Sequence, residues 1–215
     1  MLRLIFPRKC TFCEKVLDKE ETDFCHNCRN TGEMFKKSKR SIPFVAHYTA
    51  LWYYKDTVRG SIHRFKFGRR RHYAQVFGRL LAMELSGSVA EDIDLICWVP
   101  VFWLRKHKRG YDQSELLAES ISAELSLPAV PVLKKIRNNP AQSGIQGMAQ
   151  RKANVSGVYR VRNSAHIADK RILLIDDVIT TGATASECAR VLLTAGAKEV
   201  YLAAIAASSQ DKNSR

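Results

Sequence analysis

The sequence predicts an α/β protein: a parallel sheet with flanking helices, preceded by a small cysteine-bearing module. Three observations predict it. Residues 93–101, 172–175 and 199–206 are short and nearly continuously apolar, as strands buried on both faces are. Between such runs lie stretches with apolar residues at helical spacing, and strands alternating with helices give a doubly wound sheet with right-handed crossovers. Finally, four of the six cysteines fall within the first 28 residues as two CxxC pairs, ahead of any periodic segment.

Composition sets the frame. The chain has 215 residues, 46% of them hydrophobic and 26% charged, enough for one sizeable core plus an appendage. Its apolar stretches are too short to span a bilayer, and residues 1–10 are interrupted too soon for a signal peptide. The expectation is a cytoplasmic protein without membrane insertion. There, cysteines serve as metal ligands or buried thiols more often than as disulfides.

Cys10 with Cys13, and Cys25 with Cys28, are two knuckles separated by eleven residues. Each CxxC turn puts two sulfurs on one side of a tight loop, and two such turns make a closed tetrahedral site for a structural Zn²⁺. Two disulfides or a redox CxxC are the competing readings. The intervening EKVLDKEETDF is too polar to form a core alone, so metal binding would supply much of the folding energy. Residues 29–41 read as a linker, which closes a first unit at 1–40.

A second unit, 41–88, begins with residues 44–54, rich in aromatic and β-branched side chains and therefore a strand or hairpin. Val58, Ile62 and Phe65 then recur at helical spacing, and residues 72–85 continue as another amphipathic helix. Between them lies the most basic stretch. Residues 59–71 carry six Lys or Arg and no acid, with Phe65 and Phe67 interleaved. A net charge of +14 implies polyanionic partners. Lys66, Arg69, Arg70 and Arg71 are candidate contacts for single-stranded nucleic acid, whose bases stack on aromatics while its phosphates pair with cations. A solvated helix face, or service to phosphates of a small ligand, explains the same residues.

The third unit, 89–210, opens with the strand at 93–101, in which Cys97 is a core thiol. Arg105, Lys106, Lys108 and Arg109 before Gly110 then read as a cationic loop ahead of a helix starting near Tyr111. Pyrophosphate suits such a loop. Residues 130–136 and 158–161 read as further strands, and the aperiodic segment between them as a lid over the ligand, with Gln142, Arg151 and Asn154 as its candidate contacts.

The chain is organised around residues 171–184, RILLIDDVITTGAT. A buried strand ends in Asp176 and Asp177. A hydroxyl-rich turn of Thr180, Thr181, Gly182, Ala183 and Thr184 follows, leading into a helix. Free backbone amides and the helix dipole favour a phosphate there, and Gly182 admits the anion close to the backbone. Carboxylates beside a phosphate need another task, and accepting hydrogen bonds from sugar hydroxyls is the obvious one. A sugar phosphate fits the stretch.

ILLIDDVITTGAT resembles the phosphoribosyl-pyrophosphate (PRPP) loop of type I phosphoribosyltransferases. Tyr54, Arg59, Ile62 and Lys66, the run RGYDQSELLA, a later Q…R..NV.G.Y pattern and the four-cysteine module follow in the order of the ComF/GntX-like competence proteins, across essentially the whole chain. Phe102-Trp103 and Asn139 depart from that pattern, where His-Pro and threonine are usual. The resemblance implies a type I phosphoribosyltransferase-like domain in which Asp176 and Asp177 hold the ribose hydroxyls and residues 180–184 the 5′-phosphate. It implies pyrophosphate at Arg105, Arg109 and Gly110, with Mg²⁺ accompanying PRPP, and a role in natural transformation with single-stranded DNA and proteins of the uptake machinery as partners. An active Mg²⁺-dependent transferase acting on a nitrogen acceptor, and a zinc-ribbon adaptor with a non-functional pocket, are the alternatives.

Overall fold

The computed structural model describes residues 7–36, 41–87, 90–139 and 148–209. Its strands are β1 (His47–Tyr53), β2 (Leu95–Trp98), β3 (Leu133–Lys135), β4 (Tyr159–Val161), β5 (Arg171–Ile179) and β6 (Glu199–Ala207). Its helices are α1 (Asp56–Phe67), α2 (Tyr73–Ser86), α3 (Trp103–Arg109), α4 (Gln113–Leu125), α5 (Met148–Val155) and α6 (Ala183–Thr194). Four strands form one parallel sheet in the order β1-β6-β5-β2.

The continuous apolarity of β5 follows from burial on both faces. Leu173 and Ile175 enter one core with Ala203 and Ile205 of β6 and the inward faces of α1, α2 and α4. Ile172 and Leu174 enter a second core with Leu202 and Ala204, under α6 and the β3–β4 ribbon. Helices α2 and α4 approach closely at Gly78, where an added Cβ would stand 2.4 Å from Ser120 Cβ. Asp112 caps α4 by accepting from the Ser114 and Glu115 amides.

The cysteine module is packed onto this body. The Phe12 ring meets those of Phe24 and Trp52 at 4.6 and 5.2 Å, and Trp52 continues to Phe77 on α2 at 6.1 Å. Buried Ser61 Oγ on α1 donates to the Thr11 carbonyl at 2.7 Å, and Arg64 donates to the Phe12 carbonyl. These contacts satisfy carbonyls that a tight turn would otherwise bury unpaired.

Several expectations change. Residues 33–35, read as linker, hydrogen-bond to β1 through Phe35 N to Leu51 O and Tyr53 N to Glu33 O, at 3.0 and 2.9 Å. β1 in turn pairs with β6, so the second and third units share one sheet. β5 does not stop at its acids but continues to Ile179, because β6 keeps pairing with it through Val178 and Ile179. The stretch 130–136 does not join the main sheet as a full strand. Residues 128–130 begin to pair with Ile96 of β2, Pro131 has no N–H with which to continue, and the chain turns into an antiparallel β3–β4 ribbon. The end of the expected lid is helical, as α5. The cationic loop is also a helix, α3, closed by Gly110 at φ 81°.

Candidate functional site

Asp176 and Asp177 lie where the sheet opens. The β2–β5 ladder ends with Trp98 opposite Ile175, so beyond Ile175 the β5 backbone is paired on the β6 side only. This is the crevice at the carboxyl end of parallel strands where open α/β sheets take ligands. Asp176 accepts the Asp177 amide at 2.8 Å. Burial pushes the Asp176 carboxyl up to about 8, with the neighbouring Asp177 charge adding to the effect and Lys66 opposing it. Lys66 of α1 places its ammonium 2.9 Å from Asp177 Oδ1. Although burial works against its charge, Asp177 holds that lysine above its ordinary value.

The turn after β5 has the shape its sequence predicts. Gly182 is buried at φ 77°, and an added Cβ would meet the Ile42 side chain at 3.0 Å in a region that favours glycine in any case. Ala183 opens α6, and its amide donates to Thr181 Oγ1 at 3.4 Å. Thr180, Thr181, Ala183 and Thr184 are all partly accessible around this turn. Backbone amides of a helix start and hydroxyls thus surround the mouth of the crevice, an arrangement that suits an anion.

Across from the acids lies α3. Its sequence lacks a stop until Gly110, whose left-handed conformation closes it. Arg109 donates to Gln113 Oε1 at 2.8 Å and stacks 4.8 Å over the Phe67 ring, while Arg105 reaches the Asn139 carbonyl. Lys66, Phe67, Arg69, Arg105, Lys108 and Arg109 line one cavity of about 330 Å³. The basic stretch is divided by the fold. Lys66 and Arg69 turn to this cavity, whereas Arg70 pairs with Glu14 at 2.6 Å. Arg71 donates to the Gly110 carbonyl at 3.1 Å and covers the Tyr111 ring. Arg151 is half-buried on α5, which packs against α6, and Asn154 there accepts from Asn139 at 2.7 Å. Gln142 lies outside the described residues.

The sulfurs of Cys10, Cys13, Cys25 and Cys28 lie within 4.8 Å of one another and form no disulfide. That spread accommodates the roughly 3.8 Å sulfur separations of a tetrahedral thiolate site with metal–sulfur bonds near 2.3 Å. Although burial disfavours its thiolate, the amides of Cys25, Cys13 and Phe12 bring Cys10 down to about 7, whereas burial pushes Cys13 and Cys28 up, so that a bound cation is what would hold the set as thiolates. The cluster can hold a metal ion.

The sequence alone passed over two site residues. Lys135 of β3 lies 5.5 Å over the buried Tyr159 ring, and burial lowers it to about 8 with the Arg105 charge adding to the effect. Asp112 accepts from the Val101 amide at 2.9 Å besides capping α4, and its burial raises it to about 6. The acid at a helix start was a readable signal; the lysine, on a three-residue strand of ordinary composition, gave none.

A model of the phosphoribosyl transferase domain matches residues 99–215. Competence protein F of Haemophilus influenzae is 24% identical over 203 residues, covering 90% of this chain and 87% of that protein. Competence protein ComFC of Streptococcus pneumoniae is 27% identical over 197 residues, covering 89% and 84%. DNA utilization protein YhgH of Escherichia coli K12 is 32% identical over 147 residues, which are 66% of this chain and 63% of that relative's length. No helix among the described residues is long and apolar enough to cross a membrane.

Proposed function

Because the chain belongs to the phosphoribosyl transferase domain family, in its competence-protein (ComF) branch, we propose that it binds PRPP in the β5 crevice and handles single-stranded DNA. Asp176 and Asp177 accept the ribose hydroxyls, residues 180–184 cradle the 5′-phosphate, and Arg105 and Arg109 face the pyrophosphate. The observation that carries this reading is that the acid pair, which precedes a left-handed glycine opening a helix, is reached by Lys66 from a cavity lined by five cations. Gly110 ends α3 and lets the chain turn back toward α4.

Mg²⁺ would come with PRPP, neutralising its pyrophosphate and binding its ribose hydroxyls. Zn²⁺ is the ion that four clustered thiolates favour, and it would be structural because a closed four-cysteine set leaves no open position. Four cysteines clustered as metal ligands and two more, Cys97 and Cys188, buried in the core suit a reducing compartment such as the cytoplasm. The names of two relatives as competence proteins and of a third as a DNA utilization protein support a role in competence beside DNA, as does the +14 net charge.

Calorimetric titration of PRPP with Mg²⁺ tests the reading. Wild type should bind and Asp176→Ala/Asp177→Ala should not. A folded, metal-loaded wild type that gives no heat would reduce the domain to a scaffold for an adaptor. Where binding occurs, release of pyrophosphate with candidate nitrogen acceptors would identify a transferase, whose work is positioning and charge stabilisation.

A further inference from the structure

The basic residues at the end of α1 and those on α3 are distant in sequence, yet they face each other across one cavity. We propose that this cavity is a single polyanion site, shared by the pyrophosphate of PRPP and the phosphates of single-stranded DNA, so that the two ligands exclude each other. The inference rests on the PRPP and DNA reading above and adds their competition.

Charge carries the argument. Five of the six lining residues are cations, and the one carboxylate within ion-pair reach of any of them, among the described residues, is Asp177 against Lys66. Other basic residues of the same region are neutralised. Lys106, on the outer side of α3, pairs with Glu115, Arg70 pairs with Glu14, and Arg79 pairs with Asp23. Arg69, Arg105, Lys108 and Arg109 are left to repel one another around a small volume until an anion enters.

Size makes the sharing exclusive. A volume of about 330 Å³ is at the low end of small-ligand sites. It admits one pyrophosphate or one nucleotide unit, and it adjoins the acid pair through Lys66. Phe67 is 56% exposed at the cavity, held by Arg109 over its ring and by His63 at 4.8 Å. An exposed aromatic beside cations offers a base a stacking partner of the kind single-stranded DNA uses. Pyrophosphate needs the cations alone.

The test measures fluorescence anisotropy of a labelled oligothymidylate at fixed Mg²⁺ and ionic strength while PRPP is titrated in. The apparent Kd for DNA should rise in proportion to PRPP, roughly tenfold at PRPP ten times its own calorimetric Kd. Citrate at equal ionic strength should do far less, and Lys108→Ala should weaken both ligands. If both ligands bind and saturating PRPP leaves DNA affinity unchanged, the shared cavity is overturned while the PRPP reading stands. If citrate displaces DNA as well as PRPP does, screening explains the effect and the inference fails. If calorimetry shows no PRPP binding, the underlying reading fails and the inference with it.

Discussion

The Lys66 ammonium stands 2.9 Å from Asp177, tying a helix from the first half of the chain to the acid pair of a strand in the second. Removing that cation with Lys66→Met leaves Asp177 without its counter-ion. A charge-assisted contact of this partly buried kind contributes about 1–2 kcal/mol, so Tm should fall by about 2–8 °C. PRPP affinity should fall further, roughly tenfold, because a cation facing the pyrophosphate is lost too. Differential scanning calorimetry and PRPP titration on one preparation check both effects.

Proton linkage at Asp176 has a definite sign. Its carboxyl is raised from 3.8 to about 8, so between these values the folded protein holds a proton that the unfolded chain has released. This group's contribution to stability therefore declines as pH rises through that window. PRPP binding runs the other way, since ribose hydroxyls require the ionised pair, and affinity should climb toward pH 8. At pH 7, titrations in buffers of different ionisation enthalpy should report release of about one proton. A binding enthalpy independent of buffer would contradict the assignment.

Loss of the metal should be felt throughout the N-terminal core. Cys10, Cys25 and Cys28 are buried with Phe12, Trp52 and Phe77 in the same cluster. Cys25→Ser, or chelation, should lower Tm by at least about 5 °C, given the folding energy such sites supply. It should also expose Trp52, moving its emission to the red. Metal analysis of wild type should return one equivalent of zinc.

Arg69 and Arg70 are adjacent yet should behave differently. Arg69→Ala removes a cavity cation and should weaken oligothymidylate binding severalfold, with a shallower salt dependence by about one phosphate contact. Arg70→Ala breaks the pair with Glu14 of the cysteine module. Because that pair is partly exposed, the cost should be under about 1 kcal/mol and DNA affinity should stay within about twofold. Equal losses in both variants would restore the uninterrupted patch that the sequence suggests.

The legible part of the site is the part that is local in sequence. Asp176 through Thr184 form a continuous strand, turn and helix start, and CxxC spacing fixes a knuckle within four residues. The cavity was not legible, because nothing in residues 66–71 says which cations α1 will aim at Asp177 and which at Glu14. The partners of Arg70, 56 positions away, are set by where the cysteine module docks. The helical form of α3 was hidden by its charge density, which reads as loop, while the αL glycine that ends it reads equally well as a turn. Two prolines, at 128 and 131, were the missed sign that the following strand would leave the sheet.

The sheet order has a consequence for biosynthesis. β6 fills an interior place between β1 and β5, although it follows both in the sequence. On the ribosome, the cysteine module and β1 emerge ahead of α1 and α2. Beyond the short pairing with residues 33–35, β1 then waits for its main neighbour until residues 199–207 have been synthesised. For that interval the nascent chain carries an open, apolar edge, a hazard for association with other chains. A ribosome stalled before residue 199 would leave β1 and β5 without the strand that joins them.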